Sequence, residues 1–130
     1  MAVRGMTENE IGDVIVDSAL KVHTVLGAGL LESAYEACLG YELEKRGLQL
    51  QKQVGIPVVY EDVRLEVGYR LDLLVQDLVI VEIKAVERLM PIHTAQILSY
   101  LKLKGLKLGY LLNFNVEHMR HGIRRVANNI

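Results

Sequence analysis

The strongest constraint on the fold is a pair of short, β-branched runs, Tyr69-Arg70-Leu71-Asp72-Leu73-Leu74-Val75 and Val79-Ile80-Val81-Glu82-Ile83-Lys84, separated by a turn-sized gap. Valine, isoleucine and tyrosine at this density favour strands, and the short gap favours a hairpin. Centring the turn on Asp77 sets Asp72 opposite Glu82 and gathers Arg70, Asp72, Leu74, Ile80, Glu82 and Lys84 on one face. Tyr69, Leu71, Leu73, Val75, Val79, Val81 and Ile83 then fill the other face. A one-residue slip would part Asp72 from Glu82 and mix charge into the apolar layer, so the hydrophobic pattern selects the register. Directly opposed residues have Cβ atoms about 5 Å apart, where two carboxylates repel by roughly 3 kcal/mol at an effective dielectric of about 20. The hairpin alone admits two readings. Either the acids share a cation, or these are solvent-facing strand charges with Glu82 and Lys84 neutralising each other.

The chain of 130 residues, 51% of them apolar, suffices for one compact core and needs no staples. A lone cysteine, Cys38, excludes an internal disulfide framework and fits a reducing compartment. It reads as a small helix residue, since no histidine stands at a suggestive spacing from it. There is no signal-peptide pattern and no apolar run near the ~20 residues that span a bilayer, so the expectation is a cytoplasmic protein without membrane contact. A net charge of −1 does not mark a nucleic-acid binder. Lys102, Lys104, Lys107, Arg120, Arg124 and Arg125 nevertheless crowd the last third, where a basic edge could follow a phosphate backbone, against the default of a solvated face.

Thr7-Glu8-Asn9-Glu10 reads as a capping box opening a helix, with Ile11, Val14, Ile15, Ala19, Val22 and Leu26 at helical spacing before Gly27-Ala28-Gly29 breaks it. A second helix is expected from about Leu31 to Arg46, closed by Gly47. The period then falls to two from Leu48 to Tyr60, with Pro57 arguing for an edge strand or a bulge. After the hairpin, Pro91 suits the first turn of a third helix over about Ile92 to Lys104. Leu106 to Asn115 is apolar throughout its centre, as an interior strand is, and Gly122 to Val126 admits a short further strand. The expectation is an α/β fold, one domain over residues 1–130, with a mixed central sheet flanked by helices in the order ααβββαβ.

The third helix bears on the choice between the two readings of the hairpin. His93, Gln96 and Tyr100 form a polar stripe at i, i+3 and i+7, and Glu32 and Tyr35 stand at i and i+3 just after the glycine turn. These residues resemble a known family. Gly29-Leu30-Leu31-Glu32-Ser33-Ala34-Tyr35 is the pattern of the GxxExxY proteins, a group within the PD-(D/E)XK nuclease-like superfamily, and the resemblance runs from about Val22 to Asn115. Asp72 matches the superfamily's aspartate, Glu82-Ile83-Lys84 its (D/E)-x-K element, and Gln96 with Tyr100 a Q-x-x-x-Y helix. Leu71 stands where the family name has proline.

The resemblance implies a restriction-endonuclease-like core and a metal-dependent nuclease, with DNA as the expected nucleic-acid partner. It implies that Asp72, Glu82 and the backbone carbonyl of Ile83 bind Mg²⁺ or Mn²⁺, with Glu32 contributing directly or through water. A hard cation held by carboxylates suits phosphodiester hydrolysis, which needs an attacking hydroxide and relief of charge in the transition state. Lys84 would orient the water or stabilise that charge, with Gln96 and Tyr100 in support. Arg70 either balances Asp72 or binds phosphate, and His93 is a candidate phosphate or water contact. Tyr35 reads first as a packing aromatic with a satisfied hydroxyl, and otherwise as a substrate contact. His23 reads as a cap or packing residue, and Asn113-Phe114-Asn115 as the end of the last core strand. The competing function is an interaction module for nucleic acid or protein, without useful turnover, on the same fold. A hydrolase of other phosphate esters is a third, and a homodimer or a protein partner is left open.

Overall fold

Thr7 opens the first helix by the reciprocal bonds its spacing predicts. The Glu10 N–H donates to Thr7 Oγ1 at 3.2 Å and the Thr7 N–H to Glu10 Oε1 at 2.9 Å. The structure, a computed structural model, describes residues 5–130. Helix α1 (Glu8–Leu26) stops at Gly27, whose φ of 70° suits glycine, and α2 (Glu32–Lys45) follows. Then come β1 (Leu50–Tyr60), β2 (Val63–Val75), β3 (Val79–Lys84), α3 (Pro91–Lys104), β4 (Leu108–Asn113), a 3₁₀ turn over Met119–His121 and β5 (Ile123–Ala127).

The strands form one sheet in the order β1-β2-β3-β4-β5, antiparallel except for β3 and β4, which α3 joins in parallel. This is a mixed α/β sheet of the restriction-endonuclease-like kind, and β4, apolar along its length, lies inside it. β1 lies at the edge and carries a register shift between Ile56 and Val58, around Pro57. The hairpin turn has left-handed residues at Gln76 (φ 55°) and Asp77 (φ 57°), which match the twist of a tight hairpin. Val75 pairs with Val79, Leu74 with Ile80 and Leu73 with Val81, the register expected from a turn centred on Asp77.

Both faces of the sheet are covered. Ile11, Ile15, Ala19 and Val22 of α1 and Tyr35, Leu39 and Leu43 of α2 pack on Leu73, Val75, Val79, Val81 and Ile83. On the other face Ile97, Tyr100 and Leu101 of α3 pack with Leu71, Leu74, Ile80 and Leu111. The expected face assignment needs correcting at three positions. Leu71 packs in the α3 layer with Leu74, and Tyr69, opposite Ile56 of that layer, lies against Tyr100, so neither joins Leu73. Arg70, which lies between them and pairs with Gly55, falls on the face away from α3 and does not share the face of Glu82 and Lys84. The alternation breaks beside Asp72, where the β1–β2 ladder passes from Lys52↔Leu73 to Val54↔Leu71 and Gln53 takes a left-handed φ of 51°. The charged face is not solvent-facing either, since α3 buries Leu74 and Ile80.

Candidate active site

The site forms where the hairpin's backbone ladder opens. Pairing between β2 and β3 stops at Leu73↔Val81, and from there the acidic side chains replace it. The Asp72 N–H donates to Glu82 Oε2 at 2.8 Å, and the Ile83 N–H donates to Asp72 Oδ2 at 2.8 Å. Each acid satisfies a backbone donor that the diverging strands leave unpaired, so both carboxylates are held beside one another by local structure.

Their electrostatics are unfavourable without a cation. Glu82 is 5% exposed, and its carboxyl is pushed up to about 8, first by burial and then by the charge of Asp72. The bond from the Asp72 N–H and the nearby Lys84 ammonium pull the other way without prevailing. At neutral pH, therefore, the acidic pair retains a proton when no cation is present. Lys84, half-buried at the end of β3, enters no ion pair with a described carboxylate, so it does not neutralise Glu82 as a surface pair would.

Helix α2 brings its acids to the same end of the hairpin. Glu32, exposed in the first turn, accepts a long bond of 3.4 Å from the Ala85 N–H, one residue beyond Lys84. One turn on, Glu36 accepts from Gln53 Nε2 at 3.1 Å through both oxygens, and the same nitrogen lies 3.5 Å from Asp72 Oδ1. Burial raises the Glu36 pKa, the Gln53 bond lowers it, and the charges of Asp72 and Glu32 add to the rise. Glu36 and Gln53 were not anticipated. The i,i+4 spacing of Glu32 and Glu36 was the available signal.

From the other face, α3 presents Tyr100, 6% exposed, whose pKa is raised by burial first and then by the charge of Glu82. The nearby Gln96 amide, one helical turn before it, opposes that rise. His93 Nδ1 accepts from the Met90 N–H at 2.9 Å, which leaves Nε2 to carry the proton of the neutral ring.

Tyr35 is fully buried, stacks on Phe114 at 4.6 Å, donates to the Gly27 carbonyl at 2.6 Å and accepts from the Leu30 N–H at 3.1 Å. Its ring and hydroxyl tie the glycine turn ahead of α2 to Phe114 and the helix start. Arg70 is exposed and enters no ion pair with Asp72 or any other described carboxylate. His23 Nε2 meets the Val116 carbonyl at 2.7 Å, a packing role. Asn113 bonds both backbone groups of Val86, at 3.1 and 3.0 Å, and so ties the β3–α3 loop to the end of β4.

Among the described residues, no three acidic, histidine or thiol groups stand close enough to form a ready-made cage for a metal ion. Two carboxylates with oxygen atoms to spare nonetheless fit a hard cation such as Mg²⁺, which keeps several waters and takes few protein ligands. The mutual repulsion of Asp72 and buried Glu82 fits the same donor set. No described helix is long and apolar enough to cross a membrane.

Among known proteins, the chain matches the family model described as the PD-(D/E)XK nuclease superfamily over residues 9–126. No curated protein and no solved structure matches the chain.

Proposed function

Because the chain belongs to the PD-(D/E)XK nuclease superfamily, we propose that it is a metal-dependent nuclease of the GxxExxY kind that hydrolyses phosphodiester bonds in DNA. The observation that carries this reading is the replacement of backbone pairing by the Asp72 and Glu82 carboxylates, with Lys84 two residues beyond Glu82 on the same strand. A fold has no structural need to bury a second acid beside a first, and the burial is costly unless a ligand relieves it.

Asp72, Glu82 and the Ile83 carbonyl are the groups that would hold Mg²⁺ or Mn²⁺, with Glu32 reaching the same place directly or through water. When bound, such a cation supplies Lewis-acid stabilisation of the phosphoryl charge. The chain's own residues do the rest. Lys84, which enters no ion pair with a described carboxylate, offers an ammonium to the attacking water or to the charge that develops on the phosphate. Gln96 and Tyr100 orient neighbouring groups, and His93 Nε2–H and Arg70 are the donors for a phosphate of the DNA backbone.

Incubation with single-stranded, duplex and branched DNA, and with RNA, in Mg²⁺ or Mn²⁺, beside an Asp72→Ala control, tests this reading. Metal-dependent cleavage lost in the control is the expected result. A protein that binds Mn²⁺ yet cuts nothing would be an interaction module on the nuclease fold.

A further inference from the structure

One row of cross-strand partners runs from the acids to the far edge of the sheet. Glu82 of β3 pairs with Leu111 of β4, and Leu111 pairs with Arg124 of β5. Partners share a face, so Arg124 lies on the α3 face with Leu111, and Val126, two residues on, packs in the same layer. Arg124 Nη1 donates to Thr94 Oγ1 at 2.9 Å, in the first turn of α3. Two strand spacings, roughly 10 Å, separate the Glu82 backbone from that of Arg124. The first turn of α3 stands between them, with His93 beside Thr94. Arg124 is half-buried and enters no ion pair with a described carboxylate. The Thr94 hydroxyl is neutral, so it holds the guanidinium in place without cancelling its charge, and the fork keeps further N–H donors. The next arginine is the contrast. Arg125 pairs with Tyr110, which packs in the α1 layer, and its Nη2 donates to Asn9 Oδ1 of α1 at 2.8 Å on the reverse face.

We propose that Arg124 binds a DNA phosphate neighbouring the one that lies over the acids, so that the bound strand crosses the first turn of α3 from Lys84 toward β5. This rests on the nuclease reading and carries its substrate contacts to the far flank of α3. Charge and shape select the ligand, since a guanidinium fork with no carboxylate partner matches the oxygens of a phosphate. Residues 118–130 contain no aspartate or glutamate, so the edge strand adds no repulsion of its own. The lysines of the last third stand elsewhere. Lys102 and Lys104 lie in the last turn of α3, and Lys107 precedes β4 at the end of the sheet away from the acids. A phosphate held by Arg124 fixes the direction of the strand across Asp72 and Glu82, as backbone contacts do without reading sequence. Arg124 is therefore a substrate-binding residue and takes no part in the chemical step.

Fluorescence anisotropy of a labelled DNA duplex in EDTA, titrated with the full chain at about 50 to 200 mM salt, tests this without metal or turnover. Arg124→Gln removes the charge and keeps a neutral N–H donor. It should bind about tenfold more weakly at the lowest salt, and the slope of log affinity against log salt should fall by about 0.9, the loss of one phosphate contact. Arg124→Lys keeps the charge and should keep the slope. Arg125→Gln, on the reverse face, should also keep it. If Arg124 only ties β5 to α3, Arg124→Gln will show the wild-type slope, or Arg124→Lys will fall with it, and either result overturns the proposal. An equal loss in Arg125→Gln overturns it too, as does a wild type that binds no duplex. The nuclease reading fails separately. An Arg124 effect on binding with no cleavage in Mn²⁺ keeps the DNA surface and removes the enzyme, and cleavage with an unchanged slope does the reverse.

Discussion

The metal-free protein should lose stability as the pH rises through the range where Glu82 ionises. Its carboxyl, ordinarily near 4.5, is raised to about 8 in the folded state, so between those values the folded chain binds more protons than the unfolded one. Stability then falls with rising pH, from the unfolded value upward, and the loss is complete above about 8. Each unit is worth about 1.4 kcal/mol, so about 3 kcal/mol separates pH 6 from pH 9. For a chain of this length that is a fall in Tm of about 10 °C. The assay is thermal unfolding in EDTA at pH 6 and pH 9, of wild type beside Glu82→Gln, whose amide oxygen still accepts from the Asp72 N–H but does not titrate. Subtracting the variant removes the contributions of the four histidines and of other groups common to both. Saturating Mn²⁺ should flatten the wild-type profile by holding the carboxylate ionised. Binding at pH 7 should release close to one proton, measurable by titration calorimetry in buffers of different ionisation enthalpy. Equal pH dependence of wild type and Glu82→Gln in EDTA would refute the premise that burial beside Asp72 keeps this acid protonated.

Three further outcomes follow from the same contacts. Asp72→Asn should leave the metal-free protein at pH 8 as stable as wild type or more so, since it removes a charge that opposes ionisation of Glu82, while abolishing most of the rise in Tm that Mn²⁺ gives; an undiminished rise would count against the site. Lys84→Ala should eliminate DNA cleavage with the Mn²⁺-induced Tm shift retained, and Lys84→Arg should restore little, because a planar guanidinium is a poor substitute for a point-like ammonium; cleavage by Lys84→Ala at the wild-type rate would remove the lysine from the chemistry. Tyr35→Phe should cost about 1–3 kcal/mol, by stranding the Gly27 carbonyl and the Leu30 N–H while keeping the stack on Phe114; urea unfolding that shows no loss would mean that water takes over both bonds.

The fold was legible where short-range chemistry decides it. Thr7 and Glu10 announce α1 because a capping box is complete within four residues, and Pro91 marks the start of α3 because its fixed φ suits the first turn. The edge position of β1 follows from Pro57, which cannot donate to a ladder. The covering of the charged face by α3 was not legible from the hairpin. Leu74 and Ile80 read as apolar residues among charges, and only the crossover between parallel β3 and β4 lays a helix on them. The misplacement of Tyr69, Arg70 and Leu71 has the same origin. Strict alternation is a property of a regular strand, and β2 ceases to be regular beside Asp72.

That irregularity also limits what the sequence could say about the site. The opposition of Asp72 and Glu82 was readable, since a turn centre and a hydrophobic pattern fix a hairpin's register. That the ladder would open there was not, because it depends on β1 as well as on the two strands of the hairpin. Gln53 adopts its left-handed φ where the β1–β2 ladder skips a pair, and only that backbone aims its amide between Glu36 of α2 and Asp72 of β2. A glutamine in an edge strand carries no local signal of this kind, and two glutamates at i,i+4 on a helix read as a solvated pair. The contacts give them another meaning: three elements distant in sequence converge on the aspartate, and the residues that hold it are legible only once the sheet has brought them together.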